Sequence, residues 1–388
     1  MHKIKTLNTI SDVIFDALSP EEYSISDQQE NPDAILVRSA SMQDYPLPDS
    51  LAAIARAGAG YNNIPVSACT DAGVVVFNTP GANANAVKES VLTGLFLATR
   101  DVVGGIEWVR TLSGEGSLIP QLVEKGKNQF VGPELKGKTL AIMGLGAVGG
   151  LVANTAHHLG MEIIGYDPFI SVEAAWSLSR AVKRAVSYEA LLEHADYLSI
   201  HIPLSDDTRG MINFDMINKM KRGCAILNFS RGEVVDDDAA KAALKSGQIR
   251  KYVTDFPNQQ LLHVNGVLCI PHLGASTPES EVNCASMAAD QIHQYLTKGS
   301  IVNSVNFPRC ELDIPEKHRI SIVHRNIPNM IGQITTFVAH ENVNIEHMVN
   351  KSRSDIAYTV LDTESLLTAE AEKNLSKIEG VLRIRTIA

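Results

Sequence analysis

The sequence predicts an α/β chain made of two doubly wound parallel sheets followed by a smaller βαββαβ unit. Three observations predict it. Short apolar runs alternate with helical stretches over the first 290 residues or so, the pattern of parallel sheets covered on both faces. Lys138 to Pro168 reads as strand, glycine turn, helix and strand in immediate succession. Past Pro315 the spacing changes to longer alternating strands around two helices.

The elements follow in order. Ile4–Leu7 is expected to be a strand, Ser11–Leu18 a helix, Ala34–Val37 a strand, Leu51–Ala55 part of a helix, and Val74–Phe77 a strand. Asn78 to Asn83 is a turn cluster leading into a helix from Val87 to about Arg100 that crosses into the second domain. Ser113–Gly132 reads as long and irregular, a span that packs on a neighbouring domain or subunit. Thr139–Met143 is a buried strand running into Gly144-Leu145-Gly146-Ala147-Val148-Gly149, the G-x-G-x-x-G spacing. Here Gly144 makes the tight turn, Gly146 admits a pyrophosphate, and Gly149 lets helix lie on strand. The N–H groups of Ala147 and Val148 at the helix start would hold phosphates. The next strand, Glu162–Tyr166, ends at Asp167, placed to meet adenosine ribose hydroxyls and to repel a 2′-phosphate, so NAD is favoured over NADP. Strands at Tyr197–Ile200, Ala225–Asn228, Tyr252–Thr254 and Val267–Ile270 continue this Rossmann-like domain, with helices at Tyr188–His194, Asp215–Met220 and Asp236–Ser246 between them.

Composition narrows the class. The 388 residues are 45% hydrophobic and 20% charged, as in an ordinary globular protein long enough for two or three domains. A formal charge of -10 argues against nonspecific nucleic-acid binding, so an anionic substrate needs a local basic pocket. Five scattered cysteines without a C-x-x-C pair suit a reducing cytoplasm and give no metal site. No signal peptide opens the chain, and the uncharged Thr139–Ala156 is strand then helix rather than a membrane span.

Ligands of open parallel sheets sit beyond the carboxyl ends of strands, where Arg38, Arg231 and His272 all fall. Removing a hydride from carbon requires a base for the hydroxyl proton, and imidazole suits that task. Of twelve histidines, His272 stands out by its strand-end position in Pro271-His272-Leu273-Gly274-Ala275. A guanidinium that grips a carboxylate and polarises the adjoining carbonyl completes the pair, and Arg231 is the candidate. The backbone of Gly58-Ala59-Gly60 could hold a carboxylate as well.

Arg38-Ser39, Ala57–Ile64, Gly81–Glu89, the Gly144–Gly149 turn with Asp167, Asn228–Asp236 and Pro271–Thr277 together resemble the D-isomer-specific 2-hydroxyacid dehydrogenases. The resemblance implies catalytic Arg231 and His272, and substrate contacts from Arg38, Ser39, Ala59, Gly60 and Asn83. It implies cofactor contacts from the glycine turn, Asp167, His201, Pro203, Thr208, Ser230, Asp255, Gly274 and Ala275. One departure stands against the family pattern. Asp255-Phe256-Pro257-Asn258-Gln259-Gln260 lacks the glutamate that ordinarily pairs with the histidine, which predicts keto-acid reduction failing at lower pH than in glutamate-bearing relatives.

The helix from about Pro278 to Leu296 is expected to return to the first domain, giving residues 1–82 with 275–303 as a substrate domain and 83–274 as the NAD domain. Residues 304–317 form a linker, and 318–388 a ferredoxin-like unit of strands His318–His324, Val343–Val349, Ile356–Asp362 and Val381–Ile387 with helices Met330–His340 and Thr368–Ile378. His324-Arg325-Asn326-Ile327-Pro328-Asn329 and Asn342-Val343-Asn344 resemble an ACT regulatory domain, whose amino-acid contacts would be His324, Asn326 and Asn344. Asn329 stands where that family has glycine, and asparagine tolerates the left-handed turn. A serine-regulated tail implies a phosphorylated 2-hydroxy acid as substrate and a homodimer or homotetramer. Arg38 is the foremost cation for the phosphate, followed by Arg56 and Lys127. Reductases of glyoxylate or hydroxypyruvate, D-lactate dehydrogenases, and a non-catalytic NAD-sensing corepressor are the rival readings.

Overall fold

A computed structural model describes residues 1–387 and divides into two compact units, Met1–Asn83 with Pro278–Ala388, and Ala84–Thr277. The first unit opens with five strands, β1 (His2–Thr6), β2 (Tyr23–Ser26), β3 (Ala34–Val37), β4 (Ala53–Arg56) and β5 (Val75–Phe77). They pair in parallel in the order β2-β1-β3-β4-β5, so the strand order reverses between β1 and β3. A short helix, α1 (Val66–Asp71), precedes β5.

Two expectations fail here. Leu51–Ala55 is not helical: Ala53–Arg56 is strand, hydrogen-bonded to β3 and β5 on either side. Its alanines favour helix as isolated residues, but a four-residue run buried on both faces gains more from two ladder partners than from one helical turn. Ser11–Leu18 holds only a short 3-10 turn at Asp12–Asp16, capped by the Ser11 hydroxyl.

The second unit begins with α2 (Ala84–Leu97), α3 (Val102–Thr111) and α4 (Ile119–Gly126). The Ser113–Gly132 stretch is therefore partly ordered as helix, its glycines flanking α4 rather than dissolving it. Then come β6 (Thr139–Met143), α5 (Ala147–His158), β7 (Glu162–Tyr166), α6 (Val172–Ser177), β8 (Lys183–Arg184), α7 (Tyr188–Leu192), β9 (Tyr197–Ile200), α8 (Phe214–Asn218), β10 (Cys224–Asn228), α9 (Asp237–Ser246), β11 (Ile249–Thr254) and β12 (Val267–Cys269). The seven strands are parallel, in the order β12-β11-β10-β9-β6-β7-β8. Strand order reverses between β6 and β9, which places the glycine turn after β6 at the ligand-binding crevice of such sheets. The fully buried strands β9 and β10 are apolar apart from Ser199 and Asn228 because helices cover both faces. Local signals set the ends of α9, where Asp236 accepts from the N–H groups of Asp238 and Ala239 and Gly247 closes the helix with φ 73°.

The chain then returns to the first unit through α10 (Pro278–Lys298), which packs across β4 and β3 and buries Ala285, Ala288 and Ile292 against Ala53, Ala55 and Leu36. Small side chains on both surfaces allow that close approach. The tail adds β13 (His318–Arg325), α11 (Met330–His340), β14 (Ile345–Arg353), β15 (Ile356–Thr363), α12 (Ala369–Leu375) and β16 (Val381–Ile387), an antiparallel sheet ordered β14-β15-β13-β16. One face of this sheet carries α11 and α12 over Ile320, Ile322 and Leu361. The opposite face, with Val323, Ile356, Tyr358 and Val360, joins the core that contains α10. Among the described residues, no helix is long and apolar enough to cross a membrane, and no group of His, Cys, Asp or Glu is disposed to hold a metal ion.

Candidate active site

The glycine turn assigns a separate task to each of its glycines. Gly144 has φ 92°, and a Cβ there would lie 2.8 Å from the carbonyl oxygen of His201, at the end of the neighbouring strand. A Cβ on Gly149 would fall 2.0 Å from the Gly144 carbonyl oxygen, so this position lets α5 begin directly against the turn. At Gly146, by contrast, a Cβ would meet nothing within 4 Å. The open space faces the start of α5, with the N–H groups of Ala147 and Val148 in its first turn, and suits a pyrophosphate. Asp167 accepts from the N–H groups of Leu145 and Phe169, both at 2.9 Å, and is thereby fixed beside the turn.

On the far side of the crevice, His201 bonds Ser199 Oγ through Nε2 at 2.8 Å, and burial pushes its pKa down to about 4. The ring is consequently neutral around pH 7. Thr208 Oγ1 donates to the Pro203 carbonyl at 2.7 Å and accepts the Ser205 N–H at 2.7 Å, closing the loop after β9.

Arg231, Asp255 and His272 follow the ends of β10, β11 and β12, three strands adjacent in the sheet. Parallel strands lie about 4.8 Å apart, so this order alone gathers the three groups at one edge. Asn228, wholly buried, braces the first turn: its Nδ2 donates to the Arg231 carbonyl at 2.9 Å, and its Oδ1 accepts from the Ser230 N–H and hydroxyl. Arg231 is exposed, and among the described residues no carboxylate pairs with it. Phe256 stands against both sides, its ring 4.7 Å from that of His272 and its Cβ 3.1 Å from where a Cβ on Gly232 would lie.

Asp255 is 2% exposed. Burial raises its carboxyl pKa, while the nearby charges of His272 and Arg231 and the Gly274 N–H oppose that shift. Its Oδ1 has no hydrogen-bond partner among the described residues. A Cβ on Gly274 would lie 3.3 Å from Asp255 Oδ2, so glycine brings the segment after His272 close to this carboxylate, with Ala275 following it. The carboxylate facing His272 is thus an aspartate, one strand over from the histidine, in a chain without the glutamate.

In the first unit, loops after three strands meet around Arg38. Asn8 Oδ1 accepts the N–H groups of Arg38, Ser39 and Ala40 at 3.0, 3.0 and 3.1 Å. The Arg38 carbonyl accepts Arg56 Nε at 3.1 Å and Asn63 Nδ2 at 3.4 Å. Arg56 therefore supports Arg38, and a Cβ on Gly58 would collide with its guanidinium at 1.8 Å. Asn78 Nδ2 donates to the Ala59 carbonyl at 2.6 Å and the Thr79 N–H to the Gly58 carbonyl at 3.1 Å. With these carbonyls tied back, the Ala59 and Gly60 N–H groups donate to nothing among the described residues and stay open to an anion. Asn83 ends the first segment of this unit, immediately before α2. Lys127 lies in the other unit, ion-paired to Glu124.

Residues 94–274 match the NAD binding domain of the D-isomer specific 2-hydroxyacid dehydrogenases. The D-3-phosphoglycerate dehydrogenase of Haemophilus influenzae is 30% identical over 348 residues, covering 84% of this chain and 79% of that protein. This chain belongs to the D-isomer-specific 2-hydroxyacid dehydrogenase family. The Synechocystis D-3-phosphoglycerate dehydrogenase is 33% identical over 78% of this chain, which spans only 54% of that longer relative. The NAD+-bound 3-phosphoglycerate dehydrogenase of Entamoeba histolytica superposes with a TM-score of 0.61 at 27% identity, over 79% of this chain and 98% of that one. NAD is accordingly the cofactor of this family member.

The tail of this family member places its three expected ligand contacts unevenly. His324 is 2% exposed, with Nε2 bonded to Thr359 Oγ1 and Nδ1 to the Arg325 carbonyl, both at 2.8 Å. Asn326 follows it and donates to the Ser354 carbonyl at 3.1 Å. Asn344 precedes β14, whose Ile345 pairs with Thr363, the residue that also pairs with His318. The length of β13 from His318 to His324, about 20 Å, therefore separates Asn344 from the other two. Asn329 has φ 65° at the start of α11, and Gly332 leaves the space that its side chain occupies.

The sequence indicated Arg231, His272 and the glycine turn by strand-end position and spacing. It gave no sign of Asn8, Asn228 or Phe256 as supporting groups. For Asn228 the available hint was its place at a strand end, with Phe229 between it and Ser230-Arg231.

Proposed function

We propose that this chain oxidises 3-phospho-D-glycerate to 3-phosphohydroxypyruvate, the first step of L-serine biosynthesis. The observation that carries the reading is the row of Arg231, Asp255 and His272 at the ends of three neighbouring strands, in a chain similar over most of its length to D-3-phosphoglycerate dehydrogenases. Arg231, in no ion pair among the described residues, grips the substrate carboxylate and draws electron density from the oxygen on C2. His272 takes the proton from the C2 hydroxyl, its ring packed edge-on against Phe256 and near the Asp255 carboxylate. NAD, when bound, receives the hydride that leaves C2. The free N–H groups of Ala59 and Gly60 and the Arg38 guanidinium serve substrate carboxylate and phosphate, with Ser39 and Asn83 at the margins. Ser230, Gly274 and Ala275 flank the nicotinamide.

The tail is read as an ACT domain that binds serine. One chain cannot bring Asn344 to the same small ligand as His324 and Asn326, so the reading requires at least two copies. Apolar residues left exposed on α3, among them Ile106 at 49% and Val109 at 45%, also suit contact with a second copy. The decisive experiment follows NADH absorbance with 3-phosphoglycerate, D-glycerate, D-lactate and the reverse substrates glyoxylate and hydroxypyruvate. Preference for an unphosphorylated acid would replace the reading with that of a reductase, and no turnover at all would favour a binding protein. A serine titration of the same assay, with sedimentation in parallel, tests regulation and assembly.

A further inference from the structure

Arg38 is held at both its peptide and its guanidinium within its own unit. Its peptide is fixed by Asn8, Arg56 and Asn63, and its guanidinium meets Glu281 of α10, NH2 to Oε1 at 2.5 Å. Both side chains remain reachable, 39% and 45% exposed. Arg38 is the cation that the proposed function assigns to the substrate phosphate, and in this structure a carboxylate already occupies it. Unlike Arg231, it presents no net charge.

We propose that Glu281 is a specificity-determining residue that competes with the substrate phosphate for Arg38 and so limits the preference for phosphorylated over unphosphorylated 2-hydroxy acids. A phosphate entering here must share or displace the carboxylate, and it meets a like charge at contact distance. The backbone clamp from three loops fixes where the Arg38 side chain begins, so a phosphate reaches its guanidinium on the side where Glu281 stands. With water-like screening at a half-exposed pair, the repulsion corresponds to an effect on the order of fivefold in phosphate affinity. A substrate without phosphate neither needs Arg38 nor feels Glu281 to the same degree. The carboxylate thus tunes the discrimination without touching the reacting carbon.

This inference rests on Arg38 receiving the phosphate, and the test separates the two claims. KM and kcat are measured on the full chain with 3-phosphoglycerate and with D-glycerate, for the unchanged protein, Glu281→Gln and Arg38→Ala. The expected result is that Glu281→Gln lowers KM for 3-phosphoglycerate about fivefold more than for D-glycerate at unchanged kcat, and that added salt shrinks the difference. A merely structural role for Glu281 would move both substrates together, and that outcome, or a higher KM for 3-phosphoglycerate alone, overturns the proposal. If Arg38→Ala weakens both substrates equally, the assignment of Arg38 to the phosphate fails and the proposal falls with it. If Arg38→Ala is selective while Glu281→Gln leaves the ratio unchanged, only the role of Glu281 is lost.

Discussion

At the residue scale, Asp255 shows how a site can work against the stability of its fold. Burial lifts its carboxyl pKa above the ordinary 3.8. A carboxyl raised in the folded state contributes stability that is fully present below the unfolded value and lost as pH climbs through the folded one. Near pH 7 the buried carboxylate is therefore a net cost. Asp255→Asn is expected to stabilise the protein at neutral pH by on the order of 1 kcal/mol, an advantage that disappears toward pH 4. The same change should lower kcat/KM about tenfold or more, because it removes the carboxylate nearest the base that takes the substrate proton. Melting curves at several pH values, set beside steady-state rates, check both halves. The strand-end positions of Arg231 and His272 were legible because strand ends can be read from short apolar runs. Glu281 was not, since 243 positions separate it from Arg38 and no local pattern links them. The same holds for Asn8, which acts on a loop 30 residues away.

At the scale of elements, the turn between β6 and α5 was legible down to single glycines because spacing, bend and helix start are all local. Its division of labour gives a paired prediction. Gly146→Ala adds a methyl group that meets nothing in the protein, so the melting temperature should hold within about a degree while NAD binding weakens at least tenfold. Gly149→Ala drives a methyl group into the Gly144 carbonyl and should lower the melting temperature by several degrees as well. Thermal melts and NADH fluorescence titrations distinguish the two, and equal behaviour would remove the distinction drawn between these glycines. The strand β4 was misread for the opposite reason. Its alanines carry no β preference, and only the tertiary neighbours β3, β5 and α10 make them a strand. The helix α3 was passed over, and α4 was read as irregular because Gly114, Gly116 and Gly126 masked the helical spacing of Ile119, Leu122 and Val123.

At the scale of the molecule, the tail is a part of the first unit rather than a bead on a string. Tyr358 OH donates to the Gly299 carbonyl at 2.8 Å, Arg325 joins Asp71 at 2.6 Å, and Arg385 lies 4.4 Å over the Tyr295 ring. Arg383 donates to the carbonyls of Ala72 and Asp49, the last residues before β5 and those before β4 being thus tied to β16. Its side chain needs Gly73, where a Cβ would lie 2.6 Å from its own. The tail sheet should therefore melt together with the sheet of β1–β5, and Arg383→Ala should uncouple them, adding an earlier calorimetric transition and protease cleavage between residues 304 and 317. A separate tail transition in the unchanged protein would contradict this packing.

The return of α10 to the sheet of β1–β5 also sets the order in which a ribosome can deliver a finished product. The first 83 residues emerge with Ile4, Leu36 and Ala53 still lacking the helix that covers them, and must wait for Ala285, Ala288 and Ile292. The intervening Ala84–Thr277 segment carries its own cores and can close while synthesis continues. The beginning of this polypeptide is thus completed after its middle, and nascent chains stalled short of α10 would present an unfinished sheet to chaperones.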